Sequence, residues 1–364
     1  MHLHELATPA LTIDLDILEH NLSRMADYCR EHQLGLRPHT KTHKTLEIAK
    51  MQLERGAVGL TVAKVGEAEV MAGSGAEEIL IAYPIFGAEK LKRLATVARS
   101  VHLLLSLDSE ATARELSKAA TAQEAQIGVL VEFDVGLNRC GLAPGASSVE
   151  LAAKVLKMPG LVFRGLMTYA GNIWGTEEER KAETERVAER VSRTLAAFEE
   201  ARQPVGVVSG GSTPSAMFSD RIRGLTEIRP GTYVFNDMNT FYQGACRLED
   251  CAARVVTTVV STAVPGRAMI DAGSKTLSSD ELGSGPKTGH GYVLEASDAR
   301  LFKLNEEHGY LNIENSTHRF HVGEVLTVIP NHVCTCVNMH DEVFLTRNQE
   351  VQGCWRVAAR GKVR

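Results

Sequence analysis

Short apolar runs rich in Val, Ile and Leu alternate with charged, helix-periodic stretches over the first two thirds of the sequence. Runs of about 4–8 such residues, bounded by turn residues, predict buried strands. They fall at 34–41, 59–62, 79–84, 102–107, 128–135, 163–169, 206–212 and 225–235. Between them 45–55, 64–73, 88–98, 109–122 and 176–202 carry helical spacing. In the last of these, Val187, Val191 and Leu195 share one face of a Glu-, Arg- and Ala-rich amphipathic helix. Eight strand–helix units over roughly 230 residues predict a (β/α)8 TIM barrel, with a doubly wound open sheet as the rival. A barrel places its chemistry at the C-terminal strand ends. Lys41, Arg139, Tyr169, the run 209–213 and Tyr233 fall there.

The texture changes near residue 245. Short β-branched runs at 253–261, 267–270, 302–304, 310–313, 324–329 and 342–346 are separated by turn residues. They predict an all-β domain. The expected organisation is an N-terminal strand within 1–16 pairing with the C-terminal domain, a barrel over 17–244, and a C-terminal β domain over 245–364.

Composition narrows the function. The 364 residues carry 40 basic and 45 acidic side chains, a net charge of −5, with no basic run of the kind that binds nucleic acid. The start, M-H-L-H-E-L-A-T-P, has neither the basic nor the apolar region of a signal peptide, and no apolar run reaches membrane-spanning length. Seven scattered cysteines read as reduced thiols. A cytoplasmic protein that binds neither membrane nor nucleic acid is expected.

Five stretches can carry chemistry. R-P-H-T-K-T-H-K (37–44) puts two lysines where a buried strand becomes a helix. A lysine that loses solvent near other cations is a usable amine nucleophile and can hold an aldehyde cofactor. The plain alternative is a solvated basic loop. V-S-G-G-S-T-P (208–214) offers Ser209, Gly210, Gly211, Ser212 and Thr213 after a late strand, where barrels often bind phosphate at a following helix start. An ordinary turn has the same composition. In R-P-G-T-Y-V-F-N-D (229–237), Tyr233 is a hydroxyl donor for phosphate or substrate, or a buried tyrosine satisfied by backbone. In E-F-D-V-G-L-N-R-C-G (132–141), Arg139 suits an anionic oxygen, or pairs with Glu132 or Asp134. In P-N-H-V-C-T-C (330–336), His332 and Cys334 are two apart; on a strand they share a face and suit Zn²⁺. Two ligands make an open site, with Asp341, Asp237 and Cys336 as candidates for a third group. A core histidine beside an inert thiol is the alternative.

Taken together and in this order, the five motifs resemble the D-threonine aldolase / D-serine dehydratase family, pyridoxal-phosphate enzymes with an alanine-racemase-like fold. The resemblance runs from A-T-P-A-L-T-I-D-L-D to the closing A-A-R-G. It implies a barrel followed by a β domain, and a head-to-tail homodimer. It implies that Lys41 binds pyridoxal 5'-phosphate covalently, with Arg139 and Tyr169 beside the cofactor ring. Ser209, Gly210, Gly211, Ser212, Thr213 and Tyr233 are implied on the phosphate side, and His332 and Cys334 as the metal pair. The thiolate favours zinc, with manganese or magnesium as alternatives.

The chain departs from the family in two places. Its aldolases typically show His-x-Asp where this chain has His332 and Cys334, a pairing closer to the dehydratases. They also carry a histidine after the sixth strand, and the dehydratases an H-C-G run, where this chain reads T-Y-A-G-N-I-W with Asn172. The implied activity is retro-aldol cleavage of a D-3-hydroxy amino acid to glycine and an aldehyde. Elimination to a 2-oxo acid and ammonia is the alternative, and a metal-free racemase the second.

Overall fold

The computed structural model describes residues 1–282 and 289–364. They form two compact units. One comprises Ser23–Lys41, Leu46–Gly231 and Lys362–Arg364; the other Met1–Leu22, Thr42–Thr45 and Thr232–Gly361.

The first strand, β1 (Ala10–Asp14), belongs to the second unit, and eight parallel strands make the first: β2 (Gly35–Leu36), β3 (Leu60–Val62), β4 (Glu78–Ile81), β5 (His102–Leu107), β6 (Ile127–Glu132), β7 (Leu161–Met167), β8 (Val207–Gly210) and β9 (Glu227–Ile228). Their order is β2-β9-β8-β7-β6-β5-β4-β3. The ring closes between the segment after β2 and β3, where Thr61 N–H donates to Pro38 O at 2.9 Å and Thr40 N–H to Thr61 O at 2.8 Å. Strands enclosed on both faces need no polar alternation, and every residue of β6 is buried. Leu80, Leu104, Leu130 and Met167, from four successive strands, pack together in the core. The helix Glu177–Glu200 buries Val187, Val191 and Phe198, and Thr176 caps it in a reciprocal box with Glu179.

Most of the strands are shorter than their apolar runs, two of them by far. The run 34–41 is regular only over β2 because Pro38 has no N–H to give a ladder. The run 225–235 stops at β9, ahead of Pro230 and Gly231, and Thr232–Val234 is a 3-10 turn. The barrel unit also holds a buried charge cluster. Arg37 Nε donates to both oxygens of Glu227 (2.8 and 2.9 Å) and its Nη2 to Glu78 (2.8 Å). Gly59 makes room for it: a Cβ there would sit 2.4 Å from Arg37 Nη1 and 2.5 Å from the Glu78 carbonyl oxygen.

In the second unit β1 lies antiparallel to β10 (Ala253–Ser261) and parallel to β16 (Glu342–Arg347). The remaining strands are β11 (Arg267–Ile270), β12 (Gly291–Val293), β13 (Arg300–Leu304), β14 (Gly309–Asn312), β15 (Val325–Pro330) and β17 (Glu350–Arg356). The path β13-β14-β11-β10-β1-β16-β17 has β15 pairing with both β10 and β12. Val255, Val256, Leu326, Val328 and Val343 fill its core. The last stretch of this unit, Thr232–Gly361, includes the turn Thr232–Val234 and the helix Met238–Tyr242.

Candidate active site and metal pair

In the barrel unit a cavity of about 310 Å³ is lined by residues that follow the strand ends, among them His39, Lys41, Glu132, Arg139, Tyr169 and Arg229. Its size is at the lower end for small-molecule pockets. Three residues singled out from sequence, Lys41, Arg139 and Tyr169, therefore share one cavity. The Arg139 guanidinium lies 4.7 Å from the centre of the Tyr169 ring, a cation–π contact. The loop carrying Arg139 is tied by Asp134, whose carboxylate accepts from the N–H groups of Gly136 (3.2 Å) and Asn138 (2.9 Å). Asp134 is thus engaged in shaping the loop, and Glu132 accepts from Ser106 Oγ at 2.7 Å.

Glu132 and Arg229 set the electrostatics of the cavity wall. Burial pushes the Glu132 carboxyl up, opposed by the Ser106 hydroxyl. Burial pulls the Arg229 guanidinium down to about 10, against the attraction of Glu227 and Glu132. Arg229 is held by Ser209 Oγ (2.6 Å) and the Thr168 carbonyl (2.7 Å), and Ser209 Oγ donates to Glu227 (2.6 Å). Sequence reasoning passed over Arg229 for Tyr233 in the same motif. The available signal was a cation directly after an apolar strand and before Pro-Gly.

The run after β8 is built differently from expectation. It leads into a six-residue 3-10 helix, Ala216–Arg221, not an α-helix start. The Ser212 N–H donates to Ser215 Oγ at 2.9 Å, and Ser212 Oγ contacts the Ala170 carbonyl at 3.4 Å. The glycines answer to packing: a Cβ on Gly210 would meet Leu225 at 2.8 Å, and Gly211 has φ +75°. Thr213 lies in the same loop, and Tyr233 is buried in the other unit, within its 3-10 turn. The other motif lysine, Lys44, is also in that unit, where its Nζ donates to Ala359 O at 3.4 Å.

The donor set of the cavity fits pyridoxal phosphate. A primary amine for the aldehyde, two guanidiniums for anionic oxygens and a tyrosine ring converge there. Thr168 Oγ1, between lining residues Met167 and Tyr169, is buried without a hydrogen-bond partner.

His332 and Cys334 are brought together, but not on a strand. β15 ends at Pro330, His332 precedes the short helix Val333–Val337, and Cys334 lies within that helix. Their side chains interact directly. Behind His332 stands Asp237, fully buried, with Oδ2 at 3.4 Å from His332 Nδ1. Burial disfavours the imidazolium, yet Asp237 and Cys334 together hold its pKa up at about 11. Cys334 Sγ has the Thr42 hydroxyl at 3.2 Å and the Thr232 hydroxyl at 3.9 Å.

The other third-group candidates point elsewhere. Cys336 is buried, its thiol donates to the Thr276 carbonyl at 3.1 Å, and burial pushes it up to about 12. Asp341 is exposed and pairs with Arg360 at 3.0 Å. No group of three or more His, Cys, Asp or Glu side chains suited to a metal occurs among the described residues. An imidazole and a thiolate form an open two-ligand set of the kind that suits a borderline-soft divalent ion.

Comparison with known proteins agrees over the whole chain. The family model described as alanine racemase, N-terminal domain, matches residues 13–238, and that of the putative serine dehydratase domain matches 252–346. A D-threonine aldolase from Arthrobacter sp. is 34% identical over 360 residues, covering 97% of this chain and 93% of that protein. The crystal structure of D-threonine aldolase from Filomicrobium marinum superposes with a TM-score of 0.93 at 35% identity, covering 99% and 98% of the two chains. A D-threo-3-hydroxyaspartate dehydratase with one cysteine replaced by alanine, solved in a metal-free form, gives 0.89 at 30% identity, with 98% of each chain covered. The eight-stranded barrel, the C-terminal β-sheet and this likeness agree, and the chain belongs to the D-threonine aldolase / D-serine dehydratase family.

Proposed function

We propose that this protein is a pyridoxal-phosphate- and divalent-metal-dependent lyase that cleaves D-3-hydroxy amino acids to glycine and an aldehyde, as a D-threonine aldolase does. The observation that carries the reading is the convergence of Lys41, Arg139 and Tyr169 on one cavity at the barrel strand ends, in a chain 34% identical to such an enzyme over nearly its full length. Pyridoxal phosphate, when bound, supplies the electron sink for the pair released at Cα. Lys41 Nζ is the attachment point. The Arg139 guanidinium, seated on the Tyr169 ring, orients an anionic ring oxygen. The Gly210–Gly211 loop and Thr168 are assigned to the phosphate side. His332 and Cys334 would hold the metal, zinc by preference, whose chemistry would be that of a Lewis acid.

One observation favours a second reading, elimination to a 2-oxo acid and ammonia. Cys334 stands at the metal pair, and the related dehydratase was solved metal-free with a cysteine replaced. In that reaction Lys41 Nζ is the base that takes the Cα proton. Product analysis decides. The protein loaded with pyridoxal phosphate and Zn²⁺ or Mn²⁺ is offered D-threonine, D-serine and D-3-hydroxyaspartate. Glycine plus an aldehyde is the expected result. Ammonia plus a 2-oxo acid overturns it in favour of the dehydratase, and α-hydrogen exchange without either points to a racemase.

A further inference from the structure

Asp237 was a candidate for the third metal ligand by sequence, and its geometry gives it a different part. Its carboxylate is fully buried and both oxygens are occupied. Oδ1 accepts from the Thr240 N–H at 2.8 Å and the Thr240 hydroxyl at 3.0 Å, capping the helix Met238–Tyr242. Oδ2 accepts from the Val333 N–H at 3.0 Å and faces His332 Nδ1 at 3.4 Å. The Thr240 hydroxyl is itself engaged, accepting from the Cys246 thiol at 3.6 Å. The carboxylate therefore cannot turn without losing several bonds, and one oxygen remains aimed at one ring nitrogen. Its bond to the Val333 N–H ties it to the same turn of chain that presents His332.

We propose that Asp237 is a positioning residue for metal binding: it holds the proton of His332 on Nδ1, so that Nε2 is the nitrogen presented to the ion. An imidazole that donates from one nitrogen to a carboxylate has a fixed ring orientation and a more basic second nitrogen. With only two protein ligands, the pair depends on that preorganisation more than a closed four-ligand site does. Asparagine at 237 turns a donor toward either His332 Nδ1 and the Val333 N–H or the Thr240 N–H, so the isosteric change breaks the arrangement. The inference rests on the assignment of the metal to His332 and Cys334.

The test measures Zn²⁺ and Mn²⁺ affinity by competition with a chromophoric chelator, on the full-length protein loaded with pyridoxal phosphate. Asp237→Asn and Asp237→Ser are each compared with wild type, His332→Ala, Cys334→Ala and the His332→Ala/Asp237→Asn double variant. Serine keeps a helix cap while withdrawing the carboxylate from His332, so it carries the test if the asparagine variant folds poorly. The expected result is an affinity loss of about 10–100-fold in both single variants, with no further loss when Asp237→Asn is added to His332→Ala. Wild-type affinity in Asp237→Asn and Asp237→Ser overturns the proposal. So does an Asp237→Asn penalty that is as large in the His332→Ala background, since the carboxylate then acts through the fold and not through the imidazole. If His332→Ala and Cys334→Ala both bind metal like wild type, the metal assignment itself falls, and the role of Asp237 with it.

Discussion

Replacing Arg37 by methionine strands a buried carboxylate, and the structure sets the scale of the damage. The Arg37 side chain is 3% exposed and its partner Glu227 5%. Three of its N–H···O contacts, at 2.8–2.9 Å, go to Glu227 and Glu78. Burial works against the guanidinium charge, and the two carboxylates more than offset it, so its pKa is pushed up. Glu78 also has Arg164 at 3.4 Å, whereas the carboxylate of Glu227 is the more enclosed and relies on Arg37 and Ser209. Breaking a buried pair from one side costs about 3–5 kcal/mol, because the remaining carboxylate loses its bidentate partner out of reach of water and keeps only the Ser209 hydroxyl and the attraction of Arg229. At roughly 2–4 °C per kcal/mol for a domain of this size, Arg37→Met lowers Tm by about 6–20 °C. The assay is urea denaturation and thermal melting by circular dichroism at pH 7. Arg37→Met/Glu227→Gln removes the stranded charge and must recover part of the loss, a coupling of about 1–3 kcal/mol. An Arg37→Met variant within about 1 kcal/mol of wild type, or a double variant that loses the sum of the two single losses, refutes the reasoning.

Two further outcomes follow from the site. Lys41→Ala abolishes the visible absorbance of the lysine-bound cofactor, while Lys44→Ala, whose amine is bonded to Ala359, retains it; the reverse pattern in the spectra means that the wrong lysine of the motif has been chosen. His332→Ala and Cys334→Ala keep that absorbance but lose metal and activity, and in the wild type added Zn²⁺ protects Cys334, but not the exposed Cys354, from alkylation by iodoacetamide. Activity that survives exhaustive chelation, or Cys334 labelling that ignores zinc, removes the metal from the mechanism.

Local patterning carried the fold. Eight apolar runs marked the barrel because strands covered on both faces are written as unbroken apolar sequence, and β-branched runs marked the second unit. Lys41, Arg139 and Tyr169 were legible because strand-to-loop transitions are visible in sequence and barrels put polar groups there. What sequence missed depends on partners remote along the chain. Asp237 reads as a plausible ligand until its oxygen is seen on His332 and Val333, nearly a hundred positions later. Arg229 drew no reading beside Tyr233 in its motif, and only its bonds to Ser209 and the Thr168 carbonyl show it in the cavity wall. The strand argument for His332 and Cys334 rested on a geometry the chain does not adopt, since Pro330 ends the strand before either residue and Cys334 lies in a short helix.

The division between cleavage and elimination comes down to which proton this chain's groups can accept. Elimination needs a base at Cα, which Lys41 would provide if it holds the cofactor. Retro-aldol cleavage needs one at the 3-hydroxyl, and the loop after β7 offers no imidazole: Ala170 is buried, and the Asn172 amide donates to Glu183 at 2.6 Å. An amide so engaged cannot serve as a base in either case. Besides Lys41, His39 and Glu132 line the barrel cavity, and burial pushes the Glu132 carboxyl up, against its use as a base. If His332 and Cys334 hold a metal, its Lewis acidity would ease that demand, because a coordinated hydroxyl needs only a weaker base. The thiolate bears on this as well. The Thr42 and Thr232 hydroxyls lie 3.2 and 3.9 Å from Cys334 Sγ, placed to support the sulfur if it served as a ligand. Cys334 at the metal pair thus remains the feature that favours elimination, and the proton acceptor at the 3-hydroxyl is a second point at which the two chemistries would divide.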